Sequence, residues 1–303
     1  MDGSSGSSAL RPGLSLVFSV LTAIIGFVII GQLAGLLIGG LFYEGTMIQW
    51  IGEFTNSLQI SEKIRLPLLV MQGCGTAFGL ILTPWLYLRF IEKISVKTLF
   101  ENVTPVTAAV TVLAVGLFMF PNSVLIEWNH NITFPGDMDK WVRDTEETAA
   151  AFTRFLTSFS SFGNYLLGLL VIAVIPAIGE ELAFRGMIQP AVQRVTGNIH
   201  VAVWVTAAFF SAFHFQFLGF MPRLMLGAFF GYLLVWSGNL WLPVIAHFAN
   251  NAIGVTLMYL NKIGITDIDA ESPDAAPWSL VIPGTVFFLI IAGFIRKQLM
   301  HKR

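Results

Sequence analysis

The chain has 303 residues, of which 55% are hydrophobic and only 12% charged, with a formal net charge of −1 and a single cysteine. A soluble domain carries roughly 25% charged residues, so an ordinary water-soluble globule is excluded and lipid is the natural solvent for this much apolar sequence. The balanced charge, with no basic stripe, excludes nucleic acid as a partner, and the lone Cys74 excludes an internal disulfide and a cysteine-cluster metal site.

Residues 1–13 are rich in glycine and serine and read as a flexible tail. The apolar run that follows, 14–42, is far longer than the h-region of a signal peptide and has no basic segment before it, so it reads as a retained membrane helix. A span needs about 20 mostly apolar residues. That template gives about eight spans, at 14–42, 66–90, 105–120, 163–188, 199–218, 220–238, 240–260 and 277–296. The expected fold class is all-α, a polytopic transmembrane helix bundle. Its organisation is a set of N-terminal membrane spans with a long loop (14–162), a helical core carrying the chemistry (163–260), and a loop, last span and basic tail (261–303).

The long loop before the fourth span holds a short amphipathic helix. Trp141, Thr145, Thr148, Phe152, Phe155 and Phe159 recur at helical spacing, while Asp144, Glu146, Glu147 and Arg154 fall largely elsewhere around it. Such a helix either lies in the membrane interface or packs on the bundle. An even number of spans puts both termini on one side. Arg11, Arg89, Lys93, Lys97, Arg194, Arg296, Lys297, Lys302 and Arg303 fall on that side, and most acids fall on the other. The positive-inside rule then makes the termini cytoplasmic. The expected location is that of a multi-pass integral membrane protein, in the plasma (inner) membrane if the host is bacterial.

Ionisable groups inside a span are costly unless something satisfies them. The fourth span carries Glu180 and Glu181 with Arg185 close behind. Glu181 and Arg185 are one turn apart in the favourable order for a helical ion pair, which leaves Glu180 without a local partner. Pro176 removes one helical hydrogen bond and frees a backbone carbonyl. The fifth span carries Phe210 and His214 on one face, and the seventh carries His247 and Asn251 on one face, with Asn250 beside them. Each pattern alone also suits a hydrogen-bonded packing residue. Together they put two deep histidines, an unpaired carboxylate and a carboxamide on three spans.

Glu180-Glu181-x-x-x-Arg185, Phe210-x-x-x-His214 and His247-x-x-x-Asn251 resemble, in order, the three motifs of the CPBP family. That family includes the type II CAAX prenyl proteases and the bacteriocin-processing or self-immunity (Abi) proteins. The resemblance implies an intramembrane endopeptidase acting on a membrane-embedded or lipidated peptide or protein within the bilayer. It assigns Glu180 as general base, His214 as the group that holds the water, and His247 with Asn251 as oxyanion donors. Glu181, Arg185 and Phe210 would brace the site. No cofactor is required on this reading. A zinc-dependent version would use Glu180, His214 and His247 as ligands, since two histidines and a glutamate form a known catalytic set, with Glu181 as base; the HExxH pattern is absent. Other classes with the same polar inventory are a proton-coupled transporter and a non-catalytic immunity protein.

Two geometric expectations follow. The four catalytic candidates should line one polar cavity opening toward the side of the basic tail. Depths should match, yet a fourth span ending at 188 leaves Glu180 about 12 Å from its end, while His214 lies about 22 Å from residue 199. Extending the fourth span toward Arg194, through Pro190, would remove the mismatch.

Overall fold

The computed structural model describes residues 10–55, 62–159 and 161–300; most of the expected N-terminal tail, and Lys302 and Arg303, lie outside these. Among the described residues there are ten helices besides short 3₁₀ turns, and no strand. They are α1 (Pro12–Gly40), α2 (Met47–Thr55), α3 (Glu62–Ile91), α4 (Pro105–His130), α5 (Asp137–Thr157), α6 (Phe162–Thr196), α7 (Ile199–Ala212), α8 (Phe220–Ser237), α9 (Trp241–Lys262) and α10 (Trp278–Met300). The fold is an all-α membrane helix bundle. By length and composition α1, α3, α4, α6, α8 and α10 can cross a membrane, and α7 is a shorter apolar helix of 14 residues. The 22 residues of α9 include His247, Asn250, Asn251 and Asn261, which lower its apolar character.

Three boundaries differ from expectation. The third span does not stop at 120, because α4 runs through Pro121 to His130. The fifth ends at Ala212, well short of 218. The fourth does not end at 188; α6 is continuous for 35 residues to Thr196. For the fourth, the physical reason is a device that α3 and α6 use three times between them. The π-widened stretches Ala77–Leu82, Leu169–Val174 and Leu182–Ile188 each end two residues before a proline, Pro84, Pro176 and Pro190. Proline offers no N–H to the carbonyl four residues back and its ring crowds that carbonyl. A locally wider turn relieves the clash and lets the helix go on. From Thr196, Glu180 now lies about 24 Å along its helix, and His214 about 22 Å from Ile199, by the α-helical rise. The two depths agree.

The N-terminal spans carry no site motif, but glycines let α1 and α3 meet backbone to backbone. A Cβ on Gly31 would stand 2.5 Å from the Gly75 carbonyl oxygen, and one on Gly39 would stand 2.7 Å from that of Pro67. Close approach of small residues is a main source of helix association in lipid, where apolar side chains gain nothing by leaving the solvent. The amphipathic α5 packs on the bundle through part of its stripe. Phe152 and Phe155 join a core cluster with Trp50, Leu68 and Leu69, while Trp141 stays exposed and meets the Phe217 ring at 5.5 Å. The first turns of α5 are fixed by Asp139, which accepts from Arg143 at 2.8 Å and from the Phe134 N–H at 3.0 Å. These bonds, that of Arg143 first, hold the Asp139 carboxyl below the usual carboxylate range.

Candidate active site

Helices α6, α7, α8 and α9 converge on one buried polar cluster. Glu181 and Arg185 are fully buried and paired, Arg185 Nη1 to Glu181 Oε1 at 3.0 Å. The same oxygen accepts from His247 Nδ1 of α9 at 2.8 Å. Two donors on one carboxylate oxygen offset part of the desolvation that a buried charge suffers. Arg185 also donates through Nη2 to the Gly227 carbonyl of α8 at 2.9 Å, and lies over the rings of Phe210 and Phe230 at 4.6 and 5.7 Å. A Cβ on Gly227 would come within 3.2 Å of that Nη2, so the glycine admits the guanidinium.

His247 is clamped between rings as well as by Glu181. Phe230 stacks on it at 5.3 Å and 27°, and Phe210 meets it edge-on at 5.8 Å. Because Glu181 is acceptor-only when ionised, the His247 proton sits on Nδ1. Nε2 is then turned toward Glu180, whose Oε2 lies 3.7 Å away, is buried, and has no hydrogen-bond partner. Glu180 is the less buried of the two carboxylates, with 17% of its side chain exposed against 0% for Glu181.

His214 follows the last turn of α7. Its Nδ1 bonds the Phe210 carbonyl at 2.9 Å, and its ring meets that of Phe210 at 5.1 Å. Carbonyl oxygens only accept, so this nitrogen carries the proton and Nε2 is free to accept. His214 stands within coulombic range of Glu180 and His247. Asn251 lies one turn beyond His247, and its Nδ2 donates to the Ile172 carbonyl at 3.2 Å. Ile172 is four residues before Pro176 and is therefore the carbonyl that proline leaves without its helical donor. Asn251 Oδ1 accepts from Asn250 at 3.1 Å.

The seven residues singled out by motif thus fall in one region. What the motifs did not reveal is the contact between Glu181 and His247, 66 residues apart, or the neighbours Phe230 and Gln189. Gln189 continues the Glu181–Arg185 face by one more turn and donates to the Gly231 carbonyl at 3.3 Å. The i,i+4 continuation was a usable signal for it.

A groove of about 780 Å³ reaches His214 and is bordered by Asp144, Thr148 and Phe152 of α5 and by Phe215 and Gln216. Glu180, His247 and Asn251 are not among its lining residues. It lies on the α5 face, near the end of α4 where Asn129 donates to the Phe217 carbonyl, while the last turn of α10 lies beside Thr104 at the start of α4, so it is not on the side of the basic tail. The reason is the direction of α7, which runs from Ile199 to Ala212 and, at about 21 Å, ends inside the thickness of a bilayer core. Among the described residues no three His, Cys, Asp or Glu side chains, Glu180, His214 and His247 included, stand together as a metal-ligand set.

Residues 162–253 match the family model of the type II CAAX prenyl endopeptidase Rce1-like proteins. That stretch holds all three motifs and the cluster just described, so the similarity to that family falls on the residues of the candidate site. Among curated proteins, 89 residues are 28% identical to the uncharacterized protein YpbD of Bacillus subtilis (strain 168), covering 28% of this chain and 42% of that protein. The chain thus spans about two fifths of the length of the curated relative it matches. No solved structure matches.

Proposed function

We propose that the chain is an intramembrane endopeptidase that hydrolyses a peptide bond of a membrane-embedded or lipid-anchored protein, with Glu180 activating the water. The observation that carries this reading is the buried, unpartnered Oε2 of Glu180, 3.7 Å from His247 Nε2. An unsatisfied buried carboxylate oxygen costs stability; a water within hydrogen-bond reach of it would restore the bond and be the nucleophile.

The roles follow from donor chemistry. A water giving one proton to Glu180 and the other to Nε2 of His214 is polarised and aimed. Glu180 takes the proton as the oxygen attacks the scissile carbonyl, and later returns it to the leaving amine. The tetrahedral intermediate puts negative charge on the former carbonyl oxygen. His247, once it has taken up a second proton from solvent on Nε2 beside the one on Nδ1, donates to that oxygen, steadied by Glu181 behind it. Asn251 supplies a second donor from the amide proton not given to Ile172. Arg185 holds Glu181, and the groove beside α5 is the route by which an extended peptide reaches His214.

The test is to incubate the purified protein in liposomes with a lipid-anchored fluorogenic peptide and to identify the products by mass spectrometry, with and without a strong chelator. Cleavage at one internal bond that survives the chelator supports the glutamate route. Cleavage abolished by chelator and restored by zinc would replace it with the metal-dependent version. Loss of the peptide with no new termini would contradict hydrolysis.

A further inference from the structure

The turn that carries His214 is held from four helices. Ser211 of α7 donates its hydroxyl to the Phe220 carbonyl at 2.6 Å. Asn129 of α4 donates to the Phe217 carbonyl at 3.0 Å and accepts from the Met221 N–H at 2.7 Å. Glu146 of α5 accepts from the Leu218 N–H at 2.8 Å. Arg223 of α8 donates to both oxygens of Gln216, the side-chain Oε1 at 3.0 Å and the backbone carbonyl at 2.7 Å. The turn needs this grip, because Phe215, directly after His214, has φ of 53°. A left-handed conformation is unfavourable for a non-glycine residue and persists where its surroundings over-determine the backbone.

Arg223 is placed to do more than tie a loop. Its guanidinium lies against the backbone of the turn so closely that a Cβ on Gly219 would come 2.5 Å from Nη1 and 2.7 Å from Cζ. Its Nε is buried without a hydrogen-bond partner. It lies within coulombic range of two carboxylates, Glu180 in the cluster and Glu146 on α5. A cation near both, bonded twice to the residue two after His214, fixes where the imidazole stands relative to Glu180.

We infer that Arg223, acting through Gln216, is a positioning residue for the hydrolysis. It sets the His214 turn against Glu180 and couples that turn to α5 through Glu146. It touches neither water nor substrate. This inference rests on the proposed roles of Glu180 and His214.

The test uses the full chain in liposomes, with the peptide assay and, independently of activity, the rate at which diethylpyrocarbonate modifies His214. In Arg223→Ala, kcat falls by about a hundredfold, the scale of a 1 Å misplacement, while KM is unchanged, and His214 is modified faster. Low-millimolar guanidinium restores part of kcat in that variant and does nothing for the parent. Gly219→Ala keeps the arginine but pushes it off the turn, so it reproduces the loss, and the double variant is no worse than either single one. Should Arg223→Ala not fold, Gly219→Ala and Gln216→Ala carry the test with the cation retained. Full activity and unchanged His214 modification in these variants overturn the inference, as does a loss that guanidinium leaves untouched with additive effects in the double. If Glu180→Gln is as active as the parent, the hydrolysis reading has failed instead; a dead Glu180→Gln with an unimpaired Arg223→Ala sinks the inference alone.

Discussion

Glu181 Oε1 accepts from His247 Nδ1 at 2.8 Å, joining α6 to α9 in the buried centre of the bundle. The same atom holds Arg185. One carboxylate therefore orients a ring on one helix and neutralises a cation on its own, and the two functions fail together when it is removed.

Glu181→Ala is expected to harm folding more than Glu180→Ala does. It leaves the Arg185 guanidinium, fully buried, without its carboxylate, and breaking a buried pair in this way costs about 3–5 kcal/mol. Thermal melts in one detergent check this. Equal melting of the two variants would show that the Glu181–Arg185 pair does not hold the bundle.

Glu181→Gln keeps the shape and removes the charge. The carboxamide oxygen can still accept from Nδ1–H, but the imidazolium that donates through Nε2 loses its counter-charge. A folded Glu181→Gln protein should lose kcat by roughly the hundred- to thousandfold of a lost oxyanion donor, with KM little changed. A loss confined to KM would place Glu181 in substrate binding instead.

Asn251 and Pro176 should be coupled. Asn251 serves the Ile172 carbonyl, which Pro176 leaves without a helical donor. In a Pro176→Ala background the helix can supply its own N–H, so Asn251→Ala should cost less stability there than in the parent. The difference should be about 1 kcal/mol, the net worth of one hydrogen bond. Strictly additive effects in the double-mutant cycle would refute the link.

The groove next to His214 and the last turn of α10 should react from opposite sides of the membrane. With Cys74 replaced, Thr148→Cys, on the groove, and Lys297→Cys, in the last turn of α10, are single targets for a membrane-impermeant maleimide in intact cells. If the termini are cytoplasmic, only Thr148→Cys labels. Labelling of both from outside contradicts the arrangement of spans.

Hydropathy revealed the spans because lipid demands about 20 apolar residues in a row, whatever the packing. The three motifs were readable because polar groups stand out against such a background. The continuation of α6 past Ile188 was readable only from the mismatch in depth between Glu180 and His214, since Pro190 is a stop signal in water and follows a widened turn in a bundle. The end of α7 at Ala212 was hidden because Phe213, Phe215, Phe217 and Leu218 continue the apolar run through a turn that only tertiary bonds to Asn129, Glu146 and Arg223 enforce. The partner of Glu181 was half legible. Arg185 lies one turn away along the sequence, but His247 is brought in by helix packing that no local pattern encodes. Pro176 did signal an orphaned carbonyl, and with Asn251 already singled out, only their adjacency was missing.

The most direct measurement is single-turnover cleavage of the lipid-anchored peptide by Glu180→Gln protein whose melting matches the parent. Glutamine keeps the size of the side chain but cannot accept the water's proton. The rate should fall at least about a hundredfold, the lower range for loss of a general base, with peptide binding unchanged. Turnover near that of the parent would contradict Glu180 as the group that activates water, and with it the hydrolytic reading of this cluster.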